Sequence, residues 1–417
     1  MKYTLTLLFL MLFGLSVSIV SAQEPVTIRV MTQVNELSPE QIASFEALNP
    51  DIKIELIDSD SISLDLAIST GDIPDVFRVS HVRALVLEGR LLPLNDYFET
   101  SSIITFDDIA DVANYFVVDG LYYSLPKDWS GDFSVWVSNA AFEEAGLPIP
   151  DASQPLTYAE LADLARQLTV RDGDTVVMPG FFIPNYLFTF THILVQHGTS
   201  MFNEDYTELQ LTDNPVAMDV VRFFYDLSLE GLINLNWDQM GDAWGAGLPM
   251  VQWGYWYGGS IPSDNPLYGN LTMLPAPTWN HDLPRVNPSG GPVGLAISAT
   301  TEHPDEAYRF FEWYIVGELG RERTAGGWGA PALKSMFELL PQDTPFNQQR
   351  YTVLVNDLEF SNYQMPTYTY PSTELAFNTA WMDLIQRAID GEIDFETFAT
   401  DLQETVNLAI LNEQLGQ

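Results

Sequence analysis

The sequence predicts an α/β fold built on mainly parallel sheets with helices on both faces. Three observations carry this. Val26–Met31 and Ile52–Ile57 alternate apolar and polar side chains as half-buried strands do, and Pro74–Val79 reads as a third strand. Two helical stretches, Ser38–Leu48 and Leu64–Thr70, lie between them. Strand–helix–strand–helix–strand within residues 26–79 is a βαβ series, and such crossovers set parallel strands side by side.

Each element has its own punctuation. Ser38 can cap the first helix, Pro39 suits its first position, and Gln41 completes a capping box. Ile42, Phe45 and Leu48 form its apolar stripe, and Asn49-Pro50 ends it. Gly71 stops the second helix. Asp132–Ser138 reads as a strand with an apolar face at Phe133, Val135 and Val137. Thr157 caps a helix over Tyr158–Leu168 whose stripe is Leu161, Leu164 and Leu168. Arg171–Asp174 is a turn, with too few carboxylates for a calcium loop. Gly180–Phe190 is aromatic and irregular. Asp213–Leu229 is a helix with Val216, Val220, Phe223, Phe224 and Leu227 inward, ended by Gly231. A proline-rich stretch, Pro275–Pro292, leads to a strand over Val293–Ile297. Pro304 opens a helix with Ala307, Phe310, Phe311 and Tyr314 on one face. Gly326–Pro331 is loop, and two helices, Glu374–Ile389 and Asp394–Leu411, flank Gly391.

Composition narrows the function. A chain of 417 residues with 46% hydrophobic residues is folded and holds more than one domain. Residues 1–22 read as a signal peptide: Lys2 is basic, Leu5–Val20 is apolar, and Val20-Ser21-Ala22 offers small residues for cleavage before Gln23. An uncleaved anchor helix is the alternative. The expectation is therefore an exported protein, periplasmic or extracellular and associated with the cell surface. There is no cysteine, which excludes disulfides, a thiolate nucleophile and a lipid-anchoring cysteine. Seventeen basic residues against 57 acidic ones give a net charge of −40, a field that repels nucleic acid and anionic lipid.

The densest chemical signal is Met250–Gly259, M-V-Q-W-G-Y-W-Y-G-G, with Trp253, Tyr255, Trp256 and Tyr257 inside five residues. Strand alternation over Met250–Trp253 divides its side chains between two faces, and Gly254 then breaks the strand. Rings with a polar edge on a glycine-flanked loop suit a wet cleft that grips a flat, half-polar ligand. For any single ring the competing reading is core packing.

Further segments carry a family resemblance. N-P-D-I-K-I-E (Asn49–Glu55) followed by I-S-T-G-D-I-P-D-V-F (Ile68–Phe77) is similar to the amino-terminal lobe of bacterial extracellular solute-binding proteins, and more narrowly to their sugar-binding, maltose-binding-protein-like group. Leu91–Phe98, Leu121–Asp128, Asn139–Leu147, Thr157–Leu161 and above all Gly290–Trp313 continue the resemblance across the mature chain. Where that family reads Y-N-K, this chain reads Val137-Ser138-Asn139. The resemblance implies a two-lobed type II periplasmic-binding-protein fold with a multi-strand hinge. It places lobe one at 23–131 plus 292–330 and lobe two at 132–291 plus 331–417, with Pro275–Pro292 as the second crossing. It implies a monomer that takes a small-molecule ligand, a sugar or oligosaccharide, and hands it to membrane permease subunits served by an ATPase.

The expected ligand contacts begin with Trp256, Trp253 and Tyr257; by resemblance Trp256 falls where relatives stack a pyranose ring. Trp328 on its glycine-rich loop is next, against lobe-surface packing. Asp128 and Trp129 sit at the first crossing, where a carboxylate can accept two bonds from a diol; a surface turn is the competing reading. Asp75 is assigned to the carboxyl end of the third strand, where open α/β sheets bind ligands, with a helix cap as its other reading. Gln33 and Glu36 follow the first strand in the same way. Phe182 and Tyr186 resemble an aromatic position of lobe two, and Gly290 and Gly291 offer backbone amides.

Two other readings stay open. A polyamine, peptide or other small solute suits the acidity and the rings. A secreted glycoside hydrolase needs two carboxylates about 5 to 10 Å apart, with Asp128 and Asp132 the pair to test. The chain has no G-x-S-x-G and no H-E-x-x-H, and His192 and His197 are wrongly spaced for a shared metal, so neither metal nor cofactor is expected.

Overall fold

The computed structural model describes residues 24–183, 186–234, 248–289, 291–361, 365, 370 and 372–415. The proposed signal peptide and Gly290 lie outside these. The first strands are β1 (Val26–Thr32), β2 (Ile52–Asp58), β3 (Val76–Val79), β4 (Val117–Val118), β5 (Leu121–Tyr122), β6 (Pro126–Asp128) and β7 (Val135–Ser138). They are followed by β8 (Val170–Asp172), β9 (Thr175–Met178), β10 (Phe181–Phe182), β11 (Ile233–Asn234), β12 (Met250–Gln252), β13 (Leu271–Leu274) and β14 (Val293–Ile297).

Two five-stranded sheets organise the chain, β2-β1-β3-β14-β6 and β11-β10-β12-β7-β13. Both are mixed rather than mainly parallel. β1 pairs parallel with β2 and β3, but β14 runs antiparallel to β3 and to β6. In the second sheet β10 is parallel to β11 and β12, whereas β7 is antiparallel to β12 and β13. The reason is connectivity. β14 and β7 each enter from the other sheet, through β13→β14 and β6→β7, and insert against the direction of the parallel trio.

Local chemistry sets the elements. Ser38 and Gln41 form the expected capping box on the helix Pro39–Leu48. Its stripe is narrower than the sequence suggested: Phe45 is buried, but Leu48 is exposed. Gly71 (φ 76°) ends the helix Leu64–Thr70 in the left-handed conformation. Gly173-Asp174 turns the β8–β9 hairpin, whereas Arg171 and Asp172, expected in that turn, belong to β8. In β7 all four side chains are buried, because it is central and covered on both faces. The stretch Gly180–Phe190 is not irregular. It holds β10 and the start of the helix Tyr186–Gln196, whose buried residues run right round it, so no amphipathic period marks it in sequence.

Each sheet has its own apolar core: one includes Ile28, Val30, Phe45, Phe310 and Phe311, the other Val135, Tyr158, Phe190, Phe224 and Trp381. Between them the chain crosses three times, at β6→β7, at β13→β14, and again from the helix Glu318–Ala325 to the helix Pro345–Asp357, which packs on β13. A buried polar cluster ties the crossings together. Asn287 Nδ2 donates to Asp357 Oδ2 (2.6 Å) and to Ser134 Oγ (3.1 Å), while its Oδ1 accepts from the Phe133 amide (3.0 Å). Arg285 pairs with the same Asp357.

Candidate functional site

The first wall of the site grows from the end of β1 and from β6. Lys127 Nζ lies 3.1 Å from Glu36 Oε1 and 3.0 Å from Asp128 Oδ2. Arg78 Nε is 3.4 Å from Glu36 Oε2, and Thr32 Oγ1 donates to that oxygen at 2.7 Å. Burial alone would raise the Glu36 carboxyl, but Lys127, the Thr32 hydroxyl and Arg78 outweigh it and hold it below its ordinary range. Gln33 Nε2 donates to Asp60 (3.1 Å). Gln33, Glu36, Lys127 and Asp128 line a cavity of about 440 Å³ with Arg323 and Trp328. Trp328, 47% exposed, is the open ring of this wall.

The second wall grows from β12. After Gln252 the chain passes Trp253 and turns at Gly254, which lies against Ser130, Gly131 and the Asp132 carboxylate with no room for a Cβ. Trp136 Nε1 donates to the Gly254 carbonyl (3.0 Å). The short helix Trp256–Gly259 follows. Phe182, Trp253 and Tyr257 lie nearly parallel, at 6.4 Å and 15° and at 6.1 Å and 13°. Trp256 stands edge-on to Trp253 at 4.7 Å and 87°. Trp253, Tyr257 and Phe182 are buried, and burial pushes the Tyr257 hydroxyl up to about 12. Of the four rings in this block, only Trp256 keeps a half-buried face; Tyr255 is fully buried.

The walls meet. Gly259 packs so closely on the Gly327 carbonyl and the Trp328 Cα that a Cβ would not fit. Gly329 also lies close against Asp128 and Trp129, though less tightly, and Trp129 pairs with Ala330 as an antiparallel bridge. The turn that carries Trp256 and the loop that carries Trp328 are therefore neighbours.

Other expected contacts fall elsewhere. Trp129 points to the other side of its strand, as alternation requires after Asp128. It is buried, donates Nε1–H to the Pro331 carbonyl (2.9 Å), and lines a separate cavity of about 820 Å³ with Tyr115, Phe337 and Tyr351. Asp75 precedes β3 rather than following it. One of its carboxylate oxygens accepts from the Arg29 amide (2.9 Å) and the other from Thr301 Oγ1 (2.6 Å), so it fastens strands together. Tyr186 is a core residue, 4.5 Å from the Trp381 ring, on a helix buried on nearly every side. Gly291 is half-buried with open space beside it. His192 is buried and neutral, stacked on Phe133 at 4.1 Å, and burial pulls its pKa down to about 4. Among the described residues no group of His, Asp or Glu is placed to hold a metal.

Sequence reasoning missed Lys127 and gave Asp132 only a hydrolytic role. Lys127 had a signal: carboxylates gathered in a half-buried wall need a cation. Asp132 gains its place only because Gly254 comes up against it.

Residues 27–315 match the family described as bacterial extracellular solute-binding protein. No curated protein matches the chain. Among solved structures it is similar to an ABC substrate-binding protein of Listeria monocytogenes in complex with cycloalternan (TM-score 0.74, 18% identity, covering 94% of this chain and 100% of that one). It is similar to the sugar-binding protein MalE of Xanthomonas citri (TM-score 0.71, 18% identity, 94% and 98% covered). It is also similar to UgpB of Mycobacterium tuberculosis in complex with glycerophosphocholine (TM-score 0.73, 18% identity, 94% and 100% covered).

Proposed function

The chain belongs to the bacterial extracellular solute-binding proteins, and on that premise we propose that it captures a sugar or oligosaccharide between its two lobes and delivers it to the permease of an ABC importer. The observation that carries this is the pairing of two unlike walls. One presents Gln33, Glu36 and Asp128 beside the exposed ring of Trp328; the other presents Trp256 on the backing of Trp253, Tyr257 and Phe182. Sugars need both kinds of partner: ring faces for C–H surfaces and fixed donors and acceptors for hydroxyls.

In this reading Trp256 and Trp328 stack on the solute, and Asp128, Glu36, Gln33 and Asp132 bind hydroxyls. Gly291 offers an amide, and Trp129 serves as packing. Lobe one spans 23–131 plus 292–330 and lobe two 132–291 plus 331–417. The protein works as an exported monomer, its leader removed after Ala22. Capture shifts the population toward the closed form, because only there can Gln33 and Glu36 reach a solute stacked on the Trp256 and Trp328 rings.

A polycation fits less well. Lys127 and Arg78 together already neutralise Glu36 and Asp128, which leaves the wall little spare negative charge. The test is a thermal-shift screen of maltooligosaccharides, monosaccharides, glycerophosphodiesters and polyamines. A neutral sugar at a hundredfold excess over its Kd adds about 2.7 kcal/mol to stability. No upward shift with any sugar, or release of glucose on prolonged incubation, would overturn the proposal.

A further inference from the structure

Arg350, on the helix Pro345–Asp357, is 2% exposed, and among the described residues no carboxylate pairs with it. A guanidinium so deeply buried is costly unless its donors are used and its charge is spread. Its partners are specific. Nη1 donates to the Gly327 carbonyl (3.1 Å) and Nε to Asn347 Oδ1 (3.0 Å), and Asn347 in turn donates to Asp343 (2.7 Å). The guanidinium also lies over the rings of Tyr255 (4.7 Å) and Phe346 (5.4 Å). Gly327 has φ 73° and leaves no room for a Cβ, because Arg350 Nη2 occupies that space.

These contacts reach both walls at once. Tyr255 lies between Trp253 and Trp256 in the chain, and Gly327 directly precedes Trp328. We propose that Arg350 is a positioning residue for solute capture: it holds the Trp328 loop against the Trp256 turn, so that the two stacking rings keep a fixed separation. The proposal rests on the reading that these two rings grip the solute. Lysine cannot replace arginine here, since a point ammonium cannot both reach the carbonyl and lie flat on Tyr255.

The experiment is fluorine NMR of the solute-free, full-length protein labelled with 5-fluorotryptophan. The Trp328, Trp256, Trp313 and Trp381 resonances are assigned by their loss in single tryptophan→Phe variants. In Arg350→Lys and Arg350→Met the Trp328 and Trp256 lines should move or broaden, while Trp313 and Trp381, in the two separate cores, stay put. Gly327→Ala, which displaces the guanidinium, should give the same signature if Arg350→Met fails to fold. Unmoved Trp328 and Trp256 lines, or equal movement of all four, would overturn the positioning role. A maltotriose titration of the wild-type protein tests the sugar reading separately, because the NMR result needs no ligand.

Discussion

Lys127 Nζ stands 3.1 Å from Glu36 Oε1, with both side chains nearly nine-tenths buried. This contact joins the loop after β1 to the first crossing. Removing one partner of such a pair strands the other in a poor solvent, at a cost of about 3 to 5 kcal/mol. Lys127→Met should lower the urea midpoint accordingly, and it should weaken sugar binding by unpairing Asp128 as well. Unchanged stability would mean that the pair is solvated and dispensable.

The same carboxylate sets an acid dependence. The folded protein holds Glu36 below its ordinary pKa, so the unfolded chain takes up the proton first. Its stabilisation is therefore complete above about pH 5, and it is lost as the pH falls through the folded value. Glu36→Gln should flatten the fall of the unfolding midpoint between neutral pH and that acid range. A curve parallel to wild type would assign the acid limb to other groups.

Trp256 and Trp253 should separate binding from stability. Trp256 is half-buried, so Trp256→Ala should leave the melting curve nearly intact, shrink the ligand-induced fluorescence change to what Trp328 contributes and weaken sugar binding about tenfold, the loss of one stacking contact. Trp253 is buried between Phe182 and Tyr257, and Trp253→Ala should cost about 3 to 5 kcal/mol in stability. Wild-type affinity in Trp256→Ala would remove the lead contact.

A net charge of −40 makes the folded chain repel itself. Raising salt from 0.01 M to 1 M shortens the screening length from about 30 Å to about 3 Å. Favourable ion pairs weaken too, but 17 basic residues cannot balance 57 acidic ones, so relief of repulsion dominates. The urea midpoint should rise with sodium chloride, while affinity for a neutral sugar barely changes. A midpoint that falls with salt would show that specific pairs outweigh the field.

Much of the fold was legible because its signals are local. Ser38 with Gln41 and Thr157 with Glu160 form capping boxes that need no tertiary context. The apolar face of the helix Pro304–Ile315 was read correctly at Ala307, Phe310, Phe311 and Tyr314. What escaped depends on distant partners. Asp75 belongs to strand fastening because Thr301, far along the chain, comes to meet it. The helix Tyr186–Gln196 lacks a polar face, so nothing periodic announces it. The site was half legible. Gln33, Glu36, Asp128 and Trp328 do share one cavity, and Trp253, Trp256, Tyr257 and Phe182 do cluster. Lys127 was marked only by the carboxylates beside it, and Arg350, whose partners lie on distant segments, carries no local mark of its work.

Strand order in the first sheet bears on how the chain is made. β14 lies between β3 and β6, although it follows both in sequence. A ribosome that has not yet reached residue 297 has released a parallel trio and a separate β6 with nothing to bridge them. The first sheet therefore stays open until β14 is made, by which point every strand of the second sheet has already been synthesised.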